Sequence, residues 1–157
     1  MKINLMCIGK TDDKEIKNLV SYYKLRLPKY WNFEIIEIPD VKNAKNLSPD
    51  LLKKEEAKLI FQNLDSTDVL VLLDEKGKQF TSREFAQKID HWQNSSIKRI
   101  VILIGGAYGF AEEIYQRANE KISLSKMTFT HQMIRLFIVE QIYRADQILQ
   151  GKPYHND

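Results

Sequence analysis

Most of the residues able to do chemistry crowd into the last quarter of this 157-residue chain. A run of small and polar residues, Ser123-Leu124-Ser125-Lys126-Met127-Thr128-Phe129-Thr130, leads into His131. A long apolar stretch follows that carries Arg135, Glu140, Gln141 and Arg144, and the chain closes on Pro153-Tyr154-His155. A helix that served packing alone needs neither these charges nor an aromatic-histidine tail, so the segment points to a bound ligand. Arg135 and Arg144 are nine residues apart and fall on roughly opposite faces of a helix at 100° per residue. Arg144 is placed to pair with Glu140 one turn earlier, which leaves Arg135 as the better candidate for a functional contact.

Other candidates are weaker. Asp74-Glu75 is a carboxylate pair of the kind used in acid–base work, but an acidic pair at a strand end more often caps or is solvated. His91, His131 and His155 share no metal-ligand spacing, so no metal site is expected. Gly9-Lys10-Thr11 looks like the end of a phosphate-binding loop, but that motif needs a glycine where Asn4 stands. Gly105-Gly106-x-x-Gly109 lacks the dinucleotide fingerprint, because its first two glycines are adjacent. Those glycines serve either a tight turn or the close approach of backbone to a ligand, and the second reading is favoured by the other unusual loops on the same side.

These residues must be positioned by a scaffold, and the pattern of the chain supplies one. Ile3 to Ile8, Phe33 to Ile38, Asp68 to Leu73, Ile100 to Ile104 and Ile122 to Leu124 read as strands. Helical spacing covers Asp12 to Leu27, the stretch from Ser48-Pro49 to about Leu64, a capping-box start at Thr81-Ser82-Arg83-Glu84, Ala111 to Asn119, and Thr130 to Gln150. Strands alternating with helices predict one α/β domain over 1–157, with a mainly parallel sheet and helices on both faces. Phe33–Ile38 alternates apolar and acidic residues, as an edge strand does. Ligands of such sheets sit beyond the carboxyl ends of the central strands, where the loops after Leu73, Ile104 and Ser123 begin.

Composition narrows the class. The chain is 43% hydrophobic and 29% charged, ordinary for a soluble protein, and its net charge of +3 tilts only weakly toward an acidic partner. The single Cys7 excludes an internal disulfide. With no signal peptide and no apolar run near membrane-spanning length, a cytoplasmic protein with no membrane partner is expected. The residues from Met133 to Val139 are apolar around nearly the whole helix circumference, which predicts a second buried side and hence a homodimer.

Five ordered motifs together resemble a known family: Leu73-Asp74-x-x-Gly77-Lys78, Ile104-Gly105-Gly106-x-x-Gly109, Leu124-Ser125-Lys126-Met127-Thr128-Phe129-x-His131-Gln132, Glu140-Gln141-x-Tyr143-Arg144-Ala145 and Pro153-Tyr154-His155. The chain is similar along its whole length to the SPOUT-class methyltransferases that act on N3 of a pseudouridine in 23S ribosomal RNA, in the ribosome or its large subunit. The resemblance implies an α/β fold with a C-terminal trefoil knot, a homodimer, and S-adenosylmethionine as methyl donor. It implies cofactor contacts at Leu73, Gly105, Leu124, Ser125, Lys126, Met127, Thr128 and Phe129. In the same reading His155 accepts or orients the N3 proton, Tyr154 stacks on the extruded base, and Arg135 holds a phosphate or a substrate carbonyl. The sequence departs from the family pattern at Thr130, where proline is frequent, and at Asn156-Asp157, where a basic residue often follows Tyr-His. The alternatives are an RNA-binding module that kept the fold without the cofactor, and a flavodoxin-type nucleotide-binding domain.

Overall fold

Side chains along each central strand alternate between two separate apolar clusters, and this alternation fixes the layering. The computed structural model describes residues 1–157. Strands β1 (Lys2–Ile8), β2 (Phe33–Ile38), β3 (Val69–Gln79), β4 (Arg99–Ile104) and β5 (Glu120–Ser123) form one sheet in the order β2-β1-β4-β3-β5, every neighbouring pair parallel. The helices are α1 (Lys14–Arg26), α2 (Pro49–Gln62), α3 (Ser82–Gln93), α4 (Glu112–Arg117) and α5 (His131–Leu149). Ile3, Leu5 and Cys7 with Ile100, Ile102 and Ile104 face α1, α3 and α5. Met6, Val101 and Leu103, with Leu70 and Leu72, face α2 and α4. Both faces of the sheet are therefore covered, as continuous apolar strands require, and the edge position of β2 matches its half-wet pattern. Burial pushes the Cys7 thiol up to about 11, which leaves it protonated and inert.

Helix starts follow the sequence closely. Asp13, Ser48 and Thr81 cap α1, α2 and α3 through their side-chain oxygens, and Thr81 with Glu84 completes the capping box. Thr130 caps α5 by accepting from the Met133 amide at 3.1 Å, so threonine replaces the family's frequent proline without loss of a helix start.

One strand differs from expectation. β3 does not end at Leu73 but continues to Gln79, and both Leu73 and Lys78 pair with Ile122, so residues 74–77 bulge out between them. A Cβ on Gly77 would lie 2.7 Å from the Ile122 backbone, so only glycine lets the chain rejoin β5 there. The bulge lifts Asp74, Glu75 and Lys76 onto the rim of the cavity beyond the sheet. No helix is long and apolar enough to cross a membrane.

Candidate functional site

The connection after β3 leads to α3 on one face of the sheet, and that after β4 leads to α4 on the other. Opposed connections from neighbouring strands open a crevice at their carboxyl ends, the place where open α/β sheets bind ligands. A cavity of about 500 Å³ lies there. Its walls are the β3 bulge, the loop from Gly105 to Phe110, and the loop between β5 and α5. Of the residues singled out in the sequence, Leu73, Gly105, Leu124, Ser125, Met127, Thr128 and Phe129 line it; Lys126 is exposed and does not.

The wall chemistry suits S-adenosylmethionine. Leu73, Leu124 and Ile134 give apolar surface for an adenine ring, and the irregular loops offer backbone polar groups at their edges. Nothing in the cavity resembles a phosphate cradle, and that cofactor has no phosphate. Gly105 is packed so closely that a Cβ would lie 3.1 Å from the Phe110 ring. Gly106 has the Glu56 carboxylate immediately behind it, and burial, with Asp40 nearby, raises the Glu56 pKa. The β5–α5 loop is stiffened locally: Ser123 Oγ donates to Ser125 O at 2.7 Å, and Ser125 Oγ accepts from the Met127 amide at 3.0 Å. Yet Met127 is 75% exposed and Phe129 40%. An ordered loop with unburied apolar side chains is a surface prepared for a ligand.

Asp74 has a structural task at the cavity rim. Its carboxylate accepts from the Tyr115 hydroxyl at 2.7 Å and from the Lys76 amide at 2.9 Å, which shapes the bulge. Burial and then this hydrogen bond push the Tyr115 hydroxyl up to about 12.

The tail lies apart from the cavity. Beyond α5 the chain reverses at Gly151 (φ 66°) and runs back along the helix. The Tyr154 ring meets that of Tyr143 edge-on at 5.0 Å, and its hydroxyl donates to Glu140 Oε1 at 3.0 Å. Burial and the Glu140 bond raise the Tyr154 pKa, so the hydroxyl stays a donor at neutral pH. Arg144 donates to Glu140 at 2.6 Å, as expected from their spacing, and also to His155 Nδ1 at 3.2 Å. A guanidinium can only donate, so Nδ1 accepts and the ring proton sits on Nε2, which faces Asp157 Oδ1 at 2.9 Å. Asp157 is in turn gripped by Arg83 at 2.7 Å, and these bonds hold its carboxyl below the usual range. The acidic end that replaces the family's basic residue thus latches the tail to α3.

Arg135 is placed where a substrate contact cannot form. It is 2% exposed, and its guanidinium donates to Ile8 O (2.8 Å), Gly9 O (3.0 Å) and Thr11 Oγ1 (2.9 Å) while Nε donates to His131 O (3.1 Å). Glu37 balances the charge from 3.6 Å. Arg135 fastens the first turn of α5 to the end of β1, helped by Gln132, which accepts from the Asp12 amide and donates to Lys10 O. The expected phosphate or carbonyl contact is therefore corrected: the guanidinium is buried, and four of its five N–H donors are committed inside the protein. Its neighbours Ile138, Val139 and Ile142 face the sheet, and that inward position on the helix was the signal in the sequence. Glu140 and Arg144, set aside as a surface pair, are the residues that organise the tail.

Comparisons agree with this architecture. Residues 1–155 match the family model described as a predicted SPOUT methyltransferase. The chain is 52% identical over 156 residues to a protein of Christiangramia forsetii named ribosomal RNA large subunit methyltransferase H, covering 99% of each. It is 55% identical to the protein of that name from Cytophaga hutchinsonii, covering 99% of this chain and 100% of that one, and 52% identical over the full length of both to that from Parabacteroides distasonis. A solved structure of a probable methylase family protein from Haemophilus influenzae Rd KW20 aligns with a TM-score of 0.57 at 12% identity, covering 95% of this chain and 66% of that one, and speaks to the fold alone. With a parallel sheet, a switch-point cavity and a match over almost every residue, the chain belongs to the SPOUT methyltransferase family.

Proposed function

We propose that this protein uses S-adenosylmethionine to methylate N3 of a pseudouridine in 23S ribosomal RNA, in the ribosome or its large subunit, and works as a homodimer. The observation that carries the reading is the switch-point cavity, walled by seven of the eight positions expected to hold the cofactor. Near 50% identity along the full length to proteins named for methylation of large-subunit ribosomal RNA supports it further. When bound, the cofactor supplies a methyl group on a cationic sulfonium, which passes to N3 as the N3–H proton is lost and a neutral thioether remains.

The chain's own residues position, desolvate and polarise. The loop from Leu124 to Phe129 holds the donor, and Tyr154 and His155 handle the base, in the same subunit or across the dimer. His155 is held with its proton on Nε2, so it is suited to donate to a carbonyl oxygen of the base and stabilise the charge left when N3 loses its proton. That role replaces proton acceptance by His155, and solvent takes the proton. Half-exposed apolar side chains on α1 (Leu19 and Tyr22) support the dimer. The trefoil knot implied by the resemblance belongs to the same proposal.

Calorimetry with S-adenosylmethionine and methyl transfer to free 23S RNA, large subunits and whole ribosomes test the reading. We expect cofactor binding and transfer to an assembled particle. Absence of cofactor binding by the dimer would overturn it in favour of an RNA-binding module.

A further inference from the structure

A second cavity, of about 270 Å³, lies between α3 and α5 and shares Leu124 and Phe129 with the cofactor cavity. We infer that it receives the target base, and that Gln141 with Ser82 selects pseudouridine over uridine by accepting a hydrogen bond from N1–H. The inference rests on the function proposed above.

Size comes first. Cavities for drug-sized ligands run from about 300 to 1,000 Å³, so this one suits a single planar base and not a whole nucleotide. Its aromatic walls fit that occupant. Phe80, Phe85, Phe129 and Phe137 line it, and Phe129 and Phe137 pack edge-on at 4.8 Å while both remain more than a third exposed. Aromatic faces of this kind stack on bases taken out of a helix. Outside, Lys78 approaches the Phe80 ring at 5.1 Å and makes no ion pair with a carboxylate, leaving a cation at the rim for the phosphate backbone.

The polar groups of the cavity are few and pre-oriented. The Gln141 amide accepts from Ser82 Oγ at 2.9 Å and donates to Glu140 Oε2 at 3.0 Å, so its oxygen and nitrogen ends are fixed. One lone pair on Oε1 and one N–H on Nε2 remain for a ligand. A side-chain amide thus presents an acceptor beside a donor. Pseudouridine differs from uridine in its carbon–carbon glycosidic bond, which frees N1 to carry a hydrogen. N1–H next to C2=O is a donor beside an acceptor, complementary to that amide. Uridine has its sugar on N1 and offers no such donor. Pairing through N1–H and O2 also leaves N3 unhindered, as methylation requires. The same Glu140 that orients Gln141 accepts from Tyr154, so the tail and the cavity share one carboxylate.

The test compares Gln141→Leu with the native dimer on large subunits carrying pseudouridine or uridine at the target. We expect Gln141→Leu to keep its affinity for S-adenosylmethionine and to lose roughly ten- to a hundredfold in transfer to pseudouridine, the cost of leaving one buried hydrogen-bonding group unpaired. Its transfer to uridine should change little, so the discrimination collapses. Ser82→Ala should lose less in the same direction. A target RNA carrying N1-methylpseudouridine, with no N1–H, should be a poor substrate of the unaltered protein. Retained preference in Gln141→Leu, or normal transfer to N1-methylpseudouridine, overturns the inference alone. Lost cofactor affinity in Gln141→Leu assigns the residue to the other cavity and also overturns it. If the unaltered protein transfers to no RNA, the proposed function falls and this inference with it.

Discussion

The cofactor cavity and the C-terminal tail differ in what makes them. The cavity is walled mainly by loops whose conformation is set by sheet topology and by glycines that admit close backbone approach. The tail is a side-chain cluster, in which Glu140, Arg144, Tyr154, His155 and Asp157 satisfy one another. A cavity of the first kind exists before its ligand arrives. A cluster of the second kind must exchange partners when substrate comes, since Asp157 occupies the His155 edge that a base would need. Binding and chemistry are accordingly separable by mutation, and each substitution below asks whether that separation holds.

The largest effect is expected at the cavity. Gly105→Val adds methyl groups beyond a Cβ that already lies 3.1 Å from Phe110. Affinity for S-adenosylmethionine should fall by more than a hundredfold, about 3 kcal/mol, with the circular dichroism spectrum retained. Unchanged affinity by calorimetry would move the cofactor to another site. Arg135→Leu comes next and is aimed at stability. Removing the guanidinium strands Ile8 O, Gly9 O and the charge on Glu37. Glu37 is more than a third exposed and regains solvent. The cost is therefore mainly that of the unpaired carbonyls, about 2–3 kcal/mol, and a chain of this size should melt roughly 5–10 °C lower. A variant of normal stability that is defective only in RNA affinity would restore Arg135 as a substrate contact.

The tail is the third point of attack. His155→Ala should leave cofactor affinity intact and lower methyl transfer by about ten- to a hundredfold, the worth of one hydrogen bond to a developing charge. His155→Asn, which keeps an N–H, should recover part of that loss. Equal losses in both variants, with a rate that follows a histidine titration, would return His155 to the role of proton acceptor. Releasing the latch by Arg83→Ala is expected to act oppositely, mildly raising transfer at low substrate, because it frees Asp157.

What the sequence disclosed and what it concealed follow the same division. Alternating strand and helix patterns gave the parallel sheet, and strands such as Ile100–Ile104 were legible because burial on both faces forces an unbroken apolar run. The cap residues Ser48 and Thr81 marked helix starts correctly. The extension of β3 past Leu73 was hidden, since Asp74-Glu75-Lys76-Gly77 is polar and its return to the sheet depends on a contact with Ile122 far along the chain. Arg135 misled for a related reason. Charge in an apolar helix signals either a ligand or a buried network, and only the position of Ile8 and Gly9 carbonyls in space decides between them. The cofactor loops were read through motif resemblance, whereas the Arg83–Asp157 latch spans 74 residues and no local pattern announces it.

The smallest effect concerns a feature both regions share, a tyrosine hydroxyl donating to a carboxylate: Tyr115 to Asp74 at the cavity rim and Tyr154 to Glu140 at the tail. Both hydroxyls have raised pKa values, with burial the first cause and the carboxylate the second. The sign follows directly. Below pH 10, the ordinary tyrosine value, folded and unfolded chains are both protonated and the hydrogen bonds contribute in full. Above it the unfolded chain ionises first, so stability declines as pH climbs toward about 12, where Tyr115 itself titrates in the folded protein. Tyr115→Phe should cost under about 1 kcal/mol at neutral pH and flatten the alkaline decline measured by denaturant unfolding. It should also loosen the β3 bulge, seen as a modest rise in the cofactor dissociation constant. Tyr154→Phe should flatten the same decline without touching cofactor affinity. A change in cofactor affinity in Tyr154→Phe as large as in Tyr115→Phe would mean that tail and cavity act as one unit, and the separation drawn between them would fail.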